Sequence, residues 1–149
     1  MDSEHRYTVD AKWLERRRGE ITGDCNAPKL AFAAPPDFQG DAGVWTPEHF
    51  FVAAIASCLI TTFKAIAEFS KFEFLGLQCS AEGVLEKAEG GFRFTRVLVK
   101  PSLTVCREED RERGLRLLER AERSCLISRS VQPAIELMPT VQVAGVTAG

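Results

Sequence analysis

Thr46-Pro47-Glu48-His49-Phe50-Phe51-Val52-Ala53-Ala54-Ile55-Ala56-Ser57-Cys58 is the stretch from which the rest of the chain can be read. Thr46 offers a capping hydroxyl, Pro47 fits the first helical position, and Glu48 and His49 fall in the first turn. Trp45 before the cap and Phe50 after it have the spacing of a hydrophobic staple, which sets the angle at which a chain enters a helix. From Phe50 to Ile60 apolar residues continue without a polar face, and a helix apolar all round is a buried one. The pattern therefore predicts a central helix running to about Phe69. In so short a chain, one sheet and one further helix offer it too little cover, which points to an obligate dimer.

Upstream, residues 6–14 alternate: Tyr7, Val9, Ala11 and Trp13 share one face and Thr8, Asp10 and Lys12 the other, as in a half-buried strand. Arg17-Arg18-Gly19 sits where the chain should turn, and 20–23 and 30–34 read as two more short strands. Residues 35–43, with two prolines, two glycines and two aspartates, form a loop by composition. Downstream, Leu77, Cys79, Ala81, Gly83 and Leu85 alternate with polar neighbours, Gly90-Gly91 supplies a turn, and 92–105 returns as a long strand. The parity of its apolar residues changes between Phe94 and Val97, which predicts a bulge near Thr95 or Arg96.

Acids at Glu108, Glu109 and Asp110 suit a helix start, with Arg120 and Arg123 near its end, so a second helix is expected over about 108–124. Leu115, Leu118, Ala121 and Cys125 recur at helical steps and form its expected buried stripe. Ile135, Leu137, Val141 and Val143 give a last strand, which Pro139 pushes to a sheet edge. The fold class is α+β, with a largely antiparallel sheet and two helices, in a single domain spanning 1–149.

The 149 residues are 45% hydrophobic and 27% charged, enough for one core and too few for two ordinary domains. A net charge of -2 argues against a nucleic-acid partner, because such binding draws on clustered Lys and Arg. The apolar run 50–63 is broken by Ser57, Cys58, Thr61 and Thr62 and falls short of the roughly 20 residues of a bilayer span, so no membrane partner is expected. Met1-Asp2-Ser3-Glu4-His5-Arg6 leads into no apolar signal region, which predicts a cytoplasmic protein.

The five cysteines are odd in number and fit reduced thiols better than a disulfide framework. They contain no C-x-x-C pair and only His5 and His49 could assist them, so neither a metal nor a bound cofactor is expected. A free thiol titrates near 8.5 and is only roughly 3% thiolate at pH 7, so a reactive cysteine must be tuned downward. Cys58, mid-helix among alanines and isoleucines, has no such means within its own segment and reads as a packing residue unless a cation approaches. Cys106 precedes a helix, but Glu108, Glu109 and Asp110 oppose activation there. Cys25, in a turn, and Cys79, in a strand, read as structural.

The segment from Thr46 to Cys58 resembles the hallmark segment of the OsmC/Ohr family of osmotically inducible and organic-hydroperoxide-resistance proteins. Ala121-Glu122-Arg123-Ser124-Cys125-Leu126-Ile127-Ser128 resembles its second cysteine segment. The resemblance extends from Trp13 to Val143. It implies an intertwined homodimer that reduces hydroperoxides with an external dithiol reductant, with Cys58 peroxidatic and Cys125 resolving, as an antioxidant enzyme. It also implies an arginine that activates the thiol and a glutamate that orients the arginine. Glu48 takes the glutamate position. The resemblance implies that this arginine stands either in the loop before the helix or in the first hairpin ahead of a glycine; Leu30 to Trp45 holds no arginine, so the resemblance points to Arg17 and, second, Arg18, ahead of Gly19. Glu48 and Cys58 stand about 15 Å apart along a helix, so an arginine must bridge them or the glutamate must serve the partner chain. Phe50, Phe51 and Ile55 would line a pocket for an organic substrate, or are simply core. The competing expectation is a non-enzymatic dimer of the same fold that binds a ligand or senses redox state.

Overall fold

The helix start at Thr46 is built as its side chains dictate. Thr46 Oγ1 accepts the N–H of His49 at 3.0 Å, and Trp45 stacks on Phe50 with ring centroids 6.0 Å apart. Helix α1 runs Pro47–Phe69. In the computed structural model, which describes residues 3–145, the chain divides into two compact units between Phe51 and Val52.

The first unit holds an antiparallel sheet in the order β1-β2-β3, of strands Val9–Glu15, Arg18–Gly23 and Leu30–Ala33. The turn expected at Arg17-Arg18-Gly19 lies one step earlier. Arg16 takes a positive φ of 47°, the Trp13 indole N–H donates to Arg16 O at 2.8 Å, and Arg18 already pairs with Glu15. Gly19 is instead a buried strand residue, and an added Cβ would stand 2.6 Å from the Phe32 ring. β1 alternates as expected yet is exposed along its whole length, with Val9 59% and Trp13 71% accessible. The loop 35–43 contains a short turn of 3-10 helix, Pro36–Phe38.

In the second unit, β4 (Gly76–Ala88) and β5 (Gly91–Val105) form the long hairpin. The bulge falls at Thr95: Val84 pairs with Arg96 and Leu85 with Phe94, which leaves Thr95 over. The single last strand expected from Ile135 to Val143 is split at Met138-Pro139. β6 (Ala134–Leu137) and β7 (Thr140–Val143) both run parallel to β5. Proline has no N–H for the ladder, while the Met138 N–H still reaches Val99 O at 2.8 Å.

One face of β5, made by Val97, Val99, Pro101, Leu103 and Val105, is fully buried. Helix α2, Arg111–Ser124, packs on it. Its buried stripe is Gly114, Leu117, Leu118 and Ala121, while Leu115 points outward. The register is set by Gly114, where an added Cβ would stand 2.8 Å from Leu103 and 3.3 Å from Phe72. Glycine lets the helix approach the sheet closely there, and hydrophobic spacing cannot report a residue that has no side chain.

α1 buries only the stripe Ile55, Leu59, Phe63 and Ala67. Phe63 meets Phe74 and Phe72 edge to face, and Val52 lies over Gly83 of β4, where an added Cβ would stand 2.7 Å from it. The helix expected to be buried all round is thus covered on one face by its own chain. At 23 residues it is also long and apolar enough to cross a membrane by length and composition, beyond the run counted from sequence. Its buried stripe packs on protein.

Candidate active site

Cys58 sits beside the buried stripe of α1, three residues after Ile55 and one before Leu59. Opposite it lies the end of α2. Cys125 does not continue that helix: its ψ of 114° makes it an extended cap residue, with its N–H on Glu122 O at 3.3 Å. It nevertheless extends the stripe of Gly114, Leu118 and Ala121, and its side chain is fully buried.

The turn after Cys125 closes on itself. Arg129 N–H donates to Cys125 O at 3.0 Å, Ser130 N–H to Ile127 O at 3.0 Å, and the Ser130 hydroxyl to Leu126 O at 2.7 Å. The carbonyls are thereby occupied within the turn, and the N–H groups of Ile127 and Leu126 remain to hydrogen-bond the Cys58 sulfur.

The two thiols share a hydrogen bond and are pushed in opposite directions. Burial raises the Cys58 thiol, but hydrogen bonds from the Cys125 side chain, the Ile127 N–H, the Thr62 hydroxyl and the Leu126 N–H outweigh it and leave the Cys58 pKa lowered. Burial raises Cys125, and donating its proton to Cys58, whose negative charge stands next to it, raises it further. Two groups of one chemical type thus take different states because their surroundings differ. The surroundings thus favour the charged form at Cys58 and the neutral form at Cys125. The expectation that only a cation could tune Cys58 is corrected here, since backbone N–H groups and a second thiol act on it. Cys79, by contrast, is raised by burial inside β4, and Cys25 and Cys106 are exposed.

The remaining predicted residues lie in the first unit or along α1. Arg17 donates to Phe38 O at 2.6 Å, and Arg18 pairs with Asp41 at 3.6 Å beside Arg16, which reaches the same carboxylate at 2.7 Å. Glu48 Oε1 is buried and, among the described residues, has no hydrogen-bond partner. The structure therefore does not join Glu48 to either arginine within the chain. Of the residues expected to line a pocket, Ile55 belongs to the buried stripe, Phe50 stacks on Trp45, and Phe51 is half-buried. Thr62, Leu126 and Ile127 are not among the site residues put forward from the sequence. Of these only Thr62 carries a sequence signal, a hydroxyl one helical turn beyond Cys58.

Two helices, a long hairpin with parallel edge strands and a separate three-stranded sheet make the α+β fold of OsmC/Ohr structures. The chain belongs to the OsmC-like protein family, whose profile matches residues 40–139. It is 27% identical over 138 residues to YmaD of Bacillus subtilis, covering 91% of this chain and 92% of that one. An OsmC-like protein from Vibrio cholerae superposes with a TM-score of 0.81 at 19% identity, over 91% of this chain and 99% of the other. An organic hydroperoxide resistance protein OsmC from Legionella pneumophila does so at 0.76 and 21%, over 95% and 100%.

Proposed function

We propose that the protein reduces organic hydroperoxides through Cys58 and Cys125, in keeping with the organic hydroperoxide resistance proteins among its structural neighbours. The observation that carries this reading is the meeting of Cys58 on α1 with the buried Cys125 at the end of α2, a placement that lowers the Cys58 thiol and raises the Cys125 thiol. The Cys58 thiolate attacks one oxygen of the hydroperoxide and the O–O bond breaks. The peroxide, reduced by two electrons, leaves as an alcohol once its alkoxide takes a proton. The sulfur, oxidised by two electrons, becomes a sulfenic acid. Cys125 then attacks that sulfur, a disulfide forms, and water departs. An external dithiol returns the pair to thiols by exchange.

Three observations support a homodimer as the working form. The apolar face of β1 is open, α1 is covered on one stripe only, and Glu48 has a buried oxygen without a partner among the described residues. A buried polar atom of this kind calls for a donor. A guanidinium from Arg17 or Arg18, supplied by one copy or the other, would satisfy Glu48 and add a cation to the thiolate site. The same cation would stabilise the departing alkoxide.

The test is consumption of an organic hydroperoxide with a dithiol present. Cys58→Ser is expected to lose activity by about a thousandfold or more, as enzymes do on losing a nucleophile. Cys125→Ser should stop after one oxidation, with a Cys58 sulfenic acid that a sulfenic-acid reagent traps. Equal rates for wild type and Cys58→Ser would overturn the reading.

A further inference from the structure

α1 carries three hydroxyl side chains around Cys58, and they behave differently. Ser57 donates to the carbonyl oxygens of Ala53 and Ala54 at 2.7 and 3.3 Å, and Thr61 to those of Ser57 and Cys58 at 3.3 and 3.1 Å. Both thus do what hydroxyls in helix interiors usually do, bonding back to the preceding turn. Thr62 does not. Its Oγ1 lies 3.7 Å from Cys58 Sγ, one turn along the same face, and it is half-buried. A threonine in a helix divides between two χ1 rotamers, and back-bonding to a carbonyl is one use of its hydroxyl; Thr61 makes that use, whereas the Thr62 hydroxyl lies by the sulfur. Thr62 approaches the sulfur along α1, whereas Cys125 and the N–H groups of Leu126 and Ile127 approach it from the end of α2. Within the second unit these are the groups that act on Cys58.

We propose that Thr62 is a positioning residue for Cys58, its hydroxyl donating to the sulfur and holding it towards the turn 125–127. The role rests on the peroxidase reading for its purpose but not for its detection, because a hydrogen bond to a thiolate shows in thiol reactivity without any hydroperoxide. A donor on the charged form favours that form, so losing it returns the thiol towards its ordinary value. Less thiolate is then present at neutral pH, and alkylation slows.

The experiment measures iodoacetamide alkylation of the Cys58 peptide against pH in the full-length protein, by mass spectrometry. Thr62→Val, which keeps the shape and removes the hydroxyl, should react about tenfold more slowly at neutral pH, the usual worth of a hydrogen bond to a charged group. Its profile should be displaced to higher pH. Thr62→Ser should restore the wild-type profile, and Thr61→Val should leave it unchanged, since the Thr61 hydroxyl serves carbonyls. Thr62→Ala replaces the valine variant if that protein does not fold. A Thr62→Val profile that superimposes on wild type, or a serine variant as slow as the valine one, would overturn the proposal. Hydroperoxide consumption, followed separately, keeps the two readings apart. A protein that consumes none and still shows the Thr62 effect rejects the peroxidase and keeps the positioning role, while an active one indifferent to Thr62 does the reverse.

Discussion

β1 and β5 are written in the same alternating code and end in opposite circumstances. Along β5, Val97, Val99, Leu103 and Val105 are buried, whereas along β1 every residue is exposed, Trp13 and Val9 included. Alternation specifies that one face of a strand is apolar. It does not specify where the cover comes from. β5 is covered by this chain's own helices, with α2 drawn close at Gly114. β1 has no such cover within its own unit, and an apolar face left open marks an interaction surface. The second copy proposed above is the natural occupant, because it would present the same unpaired faces.

Substitutions in the two units should have effects of different kinds. The largest effect is expected inside the closed unit. Phe63→Ala removes a fully buried ring packed on Phe72 and Phe74 and should destabilise by about 3–5 kcal/mol. In denaturant titration that loss should be independent of protein concentration. Trp13→Ala should come next. If a second copy covers β1, it should weaken association by about 2 kcal/mol, as a buried aromatic anchor does, and sedimentation should show monomer at dilutions where wild type is dimeric. If Trp13 stays open in solution, its loss should change stability by only about 0.5 kcal/mol and the oligomeric state not at all, which would break the comparison. Thr46→Ala should cost about 1 kcal/mol by removing the cap on the His49 N–H, measured as a lowered thermal midpoint.

What was legible in the sequence was local chemistry. The cap at Thr46, the staple of Trp45 on Phe50 and the bulge at Thr95 each depend on neighbours a few residues apart, and all three are present. What was not legible depends on approach between distant elements. Of the stripe expected on α2, Leu118, Ala121 and Cys125 are buried and only Leu115 is not, because spacing counts side chains whereas the contact there is organised by Gly114. The last strand was read as one piece because its apolar parity runs through Pro139, although the proline interrupts the ladder.

The candidate site shows the same division. The resemblance named Cys58 and Cys125, and the structure brings them together. The groups that tune Cys58 include the N–H groups of Leu126 and Ile127, and every residue but proline carries such a donor. Only the fold decides which of them face a sulfur. A cation is the natural expectation from sequence because side-chain charge is visible there and backbone direction is not, and the resemblance makes that cation an arginine. Arg17 and Arg18 bond Phe38 and Asp41 in this chain. A role for either at the thiols is part of the proposed dimer and is tested with it.

The central claim is that Cys58 and Cys125 work as one redox unit. It is tested most directly by treating the reduced protein with one equivalent of an organic hydroperoxide, digesting it without reductant and mapping the cysteines by mass spectrometry. The account predicts one major product, a disulfide joining the Cys58 and Cys125 peptides, with Cys25, Cys79 and Cys106 still free for alkylation. Recovery of Cys58 and Cys125 as unmodified thiols, or oxidation falling on the exposed Cys25 and Cys106 instead, would contradict it.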